Sequence, residues 1–146
     1  AADGLFVLGE PLELELALVN LLRNAAAAMS DRPAGERRIV VRARRPEGRA
    51  SDSDHPSVPF VELTVEDEGP LAGPISDERF AKLSEPVRSG KPDGLGLGLF
   101  IVRRIAEAHG GSLLFRRSPP PSNGLCAVLQ LPADVSPSEV SESSSS

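Results

Sequence analysis

Leu12, Leu16, Val19, Leu22, Ala26 and Met29 recur at helical spacing, so one long helix with a buried stripe is expected near the start of the chain. Pro11 suits its first turn, and Pro33 and Gly35 follow its end. Ile39, Val41 and Ala43 then alternate with Arg38, Arg42 and Arg44, the period of a strand with one wet face. Val61, Leu63 and Val65 alternate with Glu62, Thr64 and Glu66 in the same manner. Leu99, Val102, Ile105 and Ala106 mark a second helix, stopped by Gly110 and Gly111. Two last strands, about 112–117 and 125–131, flank the turn-rich PPPSNG. The pattern predicts an α+β fold: a two-layer sandwich whose mixed, mostly antiparallel sheet is covered on one face by helices. No internal repeat is visible.

Two stretches lack such a pattern. PEGRASDSDHPSVP, residues 46–59, has the composition of a loop inserted between strands. From Asp134 onward the chain reads DVSPSEVSESSSS, too polar to bury apolar surface, so residues 135–146 are expected to be a disordered tail or linker after a domain spanning 1–134. Composition narrows the function. The 146 residues are 40% hydrophobic and 25% charged, a globular balance, and the net charge of −5 argues against coating a phosphate backbone. With no Trp or Tyr and only five Phe, there is no stacking platform for single-stranded nucleic acid. The single cysteine, Cys126, lies in an alternating apolar run and reads as an inert strand thiol. No apolar run reaches the ~20 residues that span a bilayer, so the domain is expected to be cytoplasmic, without direct membrane contact, whether or not a longer parent is anchored in the inner membrane.

Three short constellations carry candidate chemistry. GLGLGL, residues 94–99, runs into the second helix, where glycines admit a close ligand and the helix N-terminus favours phosphate. A dinucleotide-binding turn does not fit: SEPVRSGKPD before it is loop rather than strand, and FRRSPPP some 20 residues later offers no ribose-binding acid. No GxxxxGK[ST] is present. Asn20 and Asn24 share one face of the first helix, where Asn is a poor helix former; either they face solvent or their carboxamide oxygens face a ligand, one of them a hard cation such as Mg²⁺. VEDEGP places Asp67 and Gly69 at a strand end, which is either a plain turn or a carboxylate that accepts from an exocyclic amine beside a glycine that admits a flat ring. His55 lies in the soft insertion, and His109 ends a helix.

Taken in order, the Asn-bearing helix, the strand ending in Asp67-Glu68-Gly69 and GLGLGL opening a helix resemble the ATP-binding catalytic domains of bacterial sensor histidine kinases, over roughly residues 5–132. Glu85–Pro86, AHGG at 108–111 and LQLP at 129–132 agree, and the wording is most like kinases related to dicarboxylate sensors. The resemblance implies ATP and Mg²⁺ as cofactors. It makes Asn24 the metal ligand, Asn20 its neighbour near the phosphates, and Asp67 the adenine-binding carboxylate, with Gly69 admitting the ring. It implies a lid from Gly73 to Gly94, in which Lys91 contacts phosphate, and a phosphate-wrapping run of Gly94, Leu95, Gly96, Leu97, Gly98 and Leu99. By the resemblance, the family's second glycine is either lost at Leu71 or displaced to Gly73 by an insertion. Hydrolysing relatives carry a glutamate base where this chain has Asn20, and an amide is no useful base, so kinase is favoured over ATPase. The implied reaction moves the γ-phosphoryl group to a histidine on a dimerisation hairpin absent from this chain, with a response regulator as indirect partner and no nucleic acid. Without the hairpin the fragment is expected to be monomeric. Departures at Leu71, Val87, Ser89–Gly90 and Ala27 motivate the alternative, a degenerate nucleotide-binding pseudokinase module acting through protein contact.

Overall fold

The computed structural model describes residues 4–46, 59–83 and 96–134. Helix α1 (Pro11–Ala28) starts with its proline in the first turn, where no N–H partner is needed, and ends at Met29. Strands β1 (Ile39–Arg44) and β2 (Phe60–Asp67) follow, then a short helix α2 (Asp77–Leu83) and helix α3 (Gly96–Ala108). Strands β3 (Ser112–Arg117) and β4 (Leu125–Pro132) close the chain. The sheet order is β1-β2-β4-β3, and all three pairings are antiparallel, so the described sheet is antiparallel throughout rather than mixed. An isolated bridge between Val7 and Ala133 ties the first described residues to the end of β4.

Helices α1 and α3 lie side by side on one face of the sheet. Ala17, Leu21 and Ala25 of α1 meet Leu99, Val102, Ile105 and Ala106 of α3 in one core with Val65, Leu113, Phe115, Ala127, Leu129 and Leu131 of the sheet. The buried stripe of α1 is therefore not the expected one. Leu12 is 79% exposed and Leu16 47%, Ala26 is exposed, and only Met29 of the six is fully buried. The run PLELELALVNLL puts leucine on several faces at once, so periodicity could not choose among them. The face chosen carries Ala17 and Ala25 on either side of Leu21, so small side chains flank one buried leucine against α3, while Leu12 and Leu16 stay outside.

The second departure is in β2. Glu62 was expected on a wet face, yet it is 3% exposed. Its carboxylate takes Arg44 at 3.0 Å from β1 and Arg116 at 3.9 Å from β3, so the arginines lie over it. Val128 on β4 is also fully buried on that side. The long stems of the arginines cover part of the outer face while their charged heads reach water.

Candidate functional site

A cleft of about 730 Å³ opens between the C-terminal half of α1 and α2, with the ends of β2 and β4 beneath it. Its lining includes Asn24, Asp67, Gly69 and Gly73 from the expected site, with Ala27 and Ala28 on the α1 wall. Asp67 ends β2 and is 5% exposed. Its Oδ1 accepts the N–H of Gly69 at 2.7 Å and that of Leu125 at 3.4 Å. Among the described residues Oδ2 takes no hydrogen bond, and it is not sealed from solvent. Burial raises the carboxyl pKa above the usual carboxylate value, against the lowering pull of those two N–H groups. One oxygen thus holds the loop, and the other has no hydrogen-bond partner among the described residues.

The loop after Asp67 is fixed from three sides. Arg32 donates from Nε to the Gly69 carbonyl at 2.5 Å and from Nη2 to that of Glu68 at 3.1 Å. Asp31 accepts the N–H groups of Leu71 at 2.9 Å and Ala72 at 3.0 Å, and these bonds hold its carboxyl below the usual value. Asn123 of the β3–β4 turn donates to the Pro70 carbonyl at 3.1 Å. Asp31, Arg32 and Asn123 were not singled out in the sequence, where Pro33 and Gly35 marked only the end of a helix and PPPSNG only a turn. Gly69 has φ +73°, and a Cβ there would lie 2.0 Å from the Asn123 carbonyl oxygen, so the glycine makes room for the neighbouring turn while it also lines the cleft. Gly73 has φ +139° with open space around it.

The two asparagines part company. The Asn24 side chain makes no hydrogen bond among the described residues, and Asn24 lines the cleft. Asn20 donates back to the Leu16 carbonyl at 2.9 Å, and a Cβ on Gly98 would come within 3.1 Å of its Oδ1. Asn20 therefore sits at the contact between α1 and the start of α3, outside the cleft lining. Gly96 and Gly98 lie in the first turn of α3; Leu97 is exposed, whereas the Leu99 side chain belongs to the core. Lys91, Gly94 and Leu95 lie outside the described residues.

The first half of the expected lid is docked on the body. Ile75 and Phe80 pack against the core, and Leu83 is part of it. Arg117 donates to the Ile75 carbonyl at 2.8 Å and to Asp77 at 2.7 Å, with its guanidinium 4.8 Å from the Phe80 ring centre. Arg103 of α3 donates to the Leu83 carbonyl at 2.6 Å. His109 is structural, as expected of a helix-end residue: Nδ1 lies 2.8 Å from the Ile105 carbonyl and Nε2 accepts the Glu10 N–H at 3.1 Å, so both ring nitrogens are committed to the backbone. Cys126 is half-buried with its thiol pKa raised by burial, in keeping with an inert thiol. Among the described residues no cluster of His, Cys, Asp and Glu could hold a metal, and no helix is long and apolar enough to cross a membrane.

Known proteins resemble this arrangement closely. The family described as "Histidine kinase-, DNA gyrase B-, and HSP90-like ATPase" matches residues 9–135. The C4-dicarboxylate transport sensor protein DctB of Rhizobium meliloti is 36% identical over 118 residues, 80% of this chain and 16% of that protein. Sporulation kinase B of Bacillus subtilis is 30% identical over 131 residues, 90% of this chain and 26% of its own length. The chain thus spans only a small part of these relatives. Among solved structures, the mycobacterial sensor histidine kinase MprB superposes with a TM-score of 0.62 at 30% identity, covering 87% of this chain and 76% of that one. The histidine kinase domain of the E. coli osmosensor EnvZ gives 0.56 at 28%, covering 89% and 70%. A matched span of nearly the whole described fold, with Asp67 and Asn24 meeting in one cleft, places the chain in the histidine kinase-, DNA gyrase B- and HSP90-like ATPase family, as the kind of domain that sensor histidine kinases carry.

Proposed function

We propose that this chain binds Mg·ATP in the cleft and supplies the γ-phosphoryl group to a histidine on a helical hairpin of a longer two-component sensor kinase. The observation that carries this reading is the divided carboxylate of Asp67: Oδ1 is committed to the loop, while among the described residues Oδ2 and the Asn24 side chain in the same cleft have no hydrogen-bond partner. A free carboxylate oxygen in a low-dielectric cleft is a strong acceptor for the adenine amino group. The apolar lining from Ala27, Ala28, Ile75, Leu83 and Leu125 suits the faces of a flat ring.

Asn24 fits an oxygen-seeking cation. Its carboxamide oxygen is a hard, neutral donor without a competing partner, and Mg²⁺ takes few protein ligands because phosphates and water complete its shell. When bound, the ion would neutralise charge on the transferring phosphoryl group. The rest of the work is positioning. The first turn of α3, with Gly96 and Gly98, offers unpaired N–H groups to phosphate, and Lys91, Gly94 and Leu95 would extend that contact. Asn20 supports transfer to a histidine over transfer to water. No carboxylate stands at that position to take a proton, and its amide is already tied to Leu16. Relatives named as sensor kinases favour the transferase over a module that works by contact alone. The response regulator, the cytoplasmic setting and any membrane anchor belong to the longer protein this reading supposes.

The test is calorimetric titration of the domain with a non-hydrolysable ATP analogue, with and without Mg²⁺. Saturable binding is expected, lost in Asp67→Asn and no longer Mg²⁺-dependent in Asn24→Ala. Binding that survives Asp67→Asn unchanged would sink the assignment of the adenine site.

A further inference from the structure

Among the described residues, the cleft lining contains three charged side chains, and two are spoken for. Both oxygens of Asp31 hold the Leu71 and Ala72 N–H groups, and Asp67 has the roles given above. The third is Arg79 of α2. Its neighbours on that helix are engaged: Lys82 pairs with Glu78 at 3.8 Å, and Phe80 lies under Arg117. Its backbone N–H bonds the Ser76 hydroxyl at 3.2 Å, but among the described residues its guanidinium has neither hydrogen bond nor ion pair. Across the cleft, the α1 wall offers Ala27 and Ala28, which carry no charge.

We propose that Arg79 contacts the polyphosphate of the bound nucleotide, a deeper reading of the same site that rests on the nucleotide assignment. Among the described residues of the lining a polyanion meets two carboxylates and one cation, so Arg79 is the described side chain there that can offset the acidic pair. An arginine fork matches phosphate oxygens in two parallel bonds, and among the described residues this guanidinium has no polar contact to give up. Arg103 and Arg117 hold α2 against the body, so the backbone that carries Arg79 is set in place before ligand arrives.

The test titrates the domain with adenosine, ADP and a non-hydrolysable ATP analogue, all with Mg²⁺, using wild type, Arg79→Gln, and Arg79→Gln combined with Ala27→Lys. Arg79→Gln should weaken ADP and the analogue by about 5- to 20-fold, the range of a charge-assisted hydrogen bond in a partly open site. Adenosine affinity should stay as in wild type, and the loss should shrink at high salt, where screening already weakens the wild-type contact. Ala27→Lys, which returns a cation to the opposite wall, should recover part of the loss for the phosphorylated probes alone. Unchanged affinity for the analogue, or an equal loss for adenosine, would overturn the proposal. If wild type binds none of the three, the nucleotide assignment fails and Arg79 with it; wild-type binding that Asp67→Asn abolishes and Arg79→Gln leaves intact refutes only the role of Arg79.

Discussion

Substituting Gly69 by alanine separates two accounts of why a glycine follows Asp67. If the glycine only leaves room for a ligand's ring, Gly69→Ala should lower nucleotide affinity and leave the empty domain as stable as before. The geometry argues otherwise. At φ +73° a Cβ costs about 1–2 kcal/mol from contact with the chain's own backbone. The Cβ would also lie 2.0 Å from the Asn123 carbonyl oxygen and 2.4 Å from its carbon, so the β3–β4 turn must retreat. Retreat strains the bond from Asn123 to Pro70 and the one from Leu125 to Asp67. Overpacking of this sort adds about 1–3 kcal/mol, for a total near 3 kcal/mol, a large part of the 5–15 kcal/mol typical of a domain.

The assay is urea and thermal unfolding of the ligand-free domain, where Tm should fall by about 10–15 °C for a loss of that size. Two other glycines calibrate it. Gly73→Ala faces open space at φ +139°, so it meets backbone strain without a clash and should lose about 1–3 kcal/mol, less than Gly69→Ala. Gly35→Ala has open space and no positive φ, and it should be neutral or gain about 0.4–1 kcal/mol by restricting the unfolded chain. A Gly69→Ala domain as stable as wild type would refute the reasoning, and so would a loss no larger than that of Gly73→Ala.

Other outcomes follow from the same contacts. The Asp67 carboxyl titrates above the ordinary 3.8, so affinity for an ATP analogue should fall with acid at a pH above that value, as the free oxygen gains a proton; a midpoint at or below 3.8 would contradict the burial argument. The stability signs are opposite for the two cleft carboxyls. The proton bound by folded Asp67 stabilises the fold fully below pH 3.8, and that contribution is lost as pH rises through its raised pKa; the Asp31 contribution is present above 3.8 and lost as pH falls through its lowered pKa. Thermal melts of Asp67→Asn and Asp31→Asn across acid pH, each set against wild type, should therefore diverge in opposite directions. Arg32→Met removes two bonds to the Glu68 and Gly69 carbonyls and should cost about 1–2 kcal/mol in urea unfolding, with Arg32→Lys recovering less than half because an ammonium lacks the planar fork. Arg44→Met leaves the buried Glu62 with only the longer pairing to Arg116, so it should destabilise by about 1–2 kcal/mol more than Arg42→Met, whose exposed arginine has no such partner; equal losses would show that Glu62 gains nothing from Arg44.

The elements were legible because local chemistry and burial agree in them. Pro11 and Pro33 bracket α1, the alternation of Val61, Leu63 and Val65 gives β2, and all four apolar residues read in α3 lie in the core. Asp67, Asn24, Gly69 and Gly73 were legible as a set because each is an awkward choice for its local element, which makes a nonlocal reason plausible. What could not be read were contacts between segments distant along the chain. Arg32 reaches carbonyls 36 and 37 positions away and Asn123 reaches one 53 away, and nothing in SDRP or PSNG marks which carbonyl will be there. The rotated stripe of α1 has the same origin. Only the presence of α3 makes Ala17 and Ala25 worth more at the interface than Leu12 and Leu16.

That dependence on distant partners bears on how the site should be probed. Asp67 serves fold and ligand with different atoms of one carboxylate. An asparagine there keeps an acceptor oxygen for Gly69 and Leu125, and it presents an amide N–H where the free carboxylate oxygen stood. The loop survives while the acceptor for an exocyclic amine becomes a donor, so Asp67→Asn isolates recognition. Alanine would leave two buried N–H groups unpaired at about 1–3 kcal/mol each and disturb the loop that Arg32, Asp31 and Asn123 hold. Lost binding in Asp67→Ala would therefore not distinguish a missing contact from a displaced loop. The same logic separates the two asparagines. Among the described residues the Asn24 side chain has no hydrogen-bond partner to lose, so its removal reads chiefly on ligand, whereas removal of Asn20 also disturbs the packing of α1 against Gly98 at the start of α3. A defect in Asn20→Ala is interpretable only beside a melting curve, and a defect in Asn24→Ala without loss of stability points to the ligand directly.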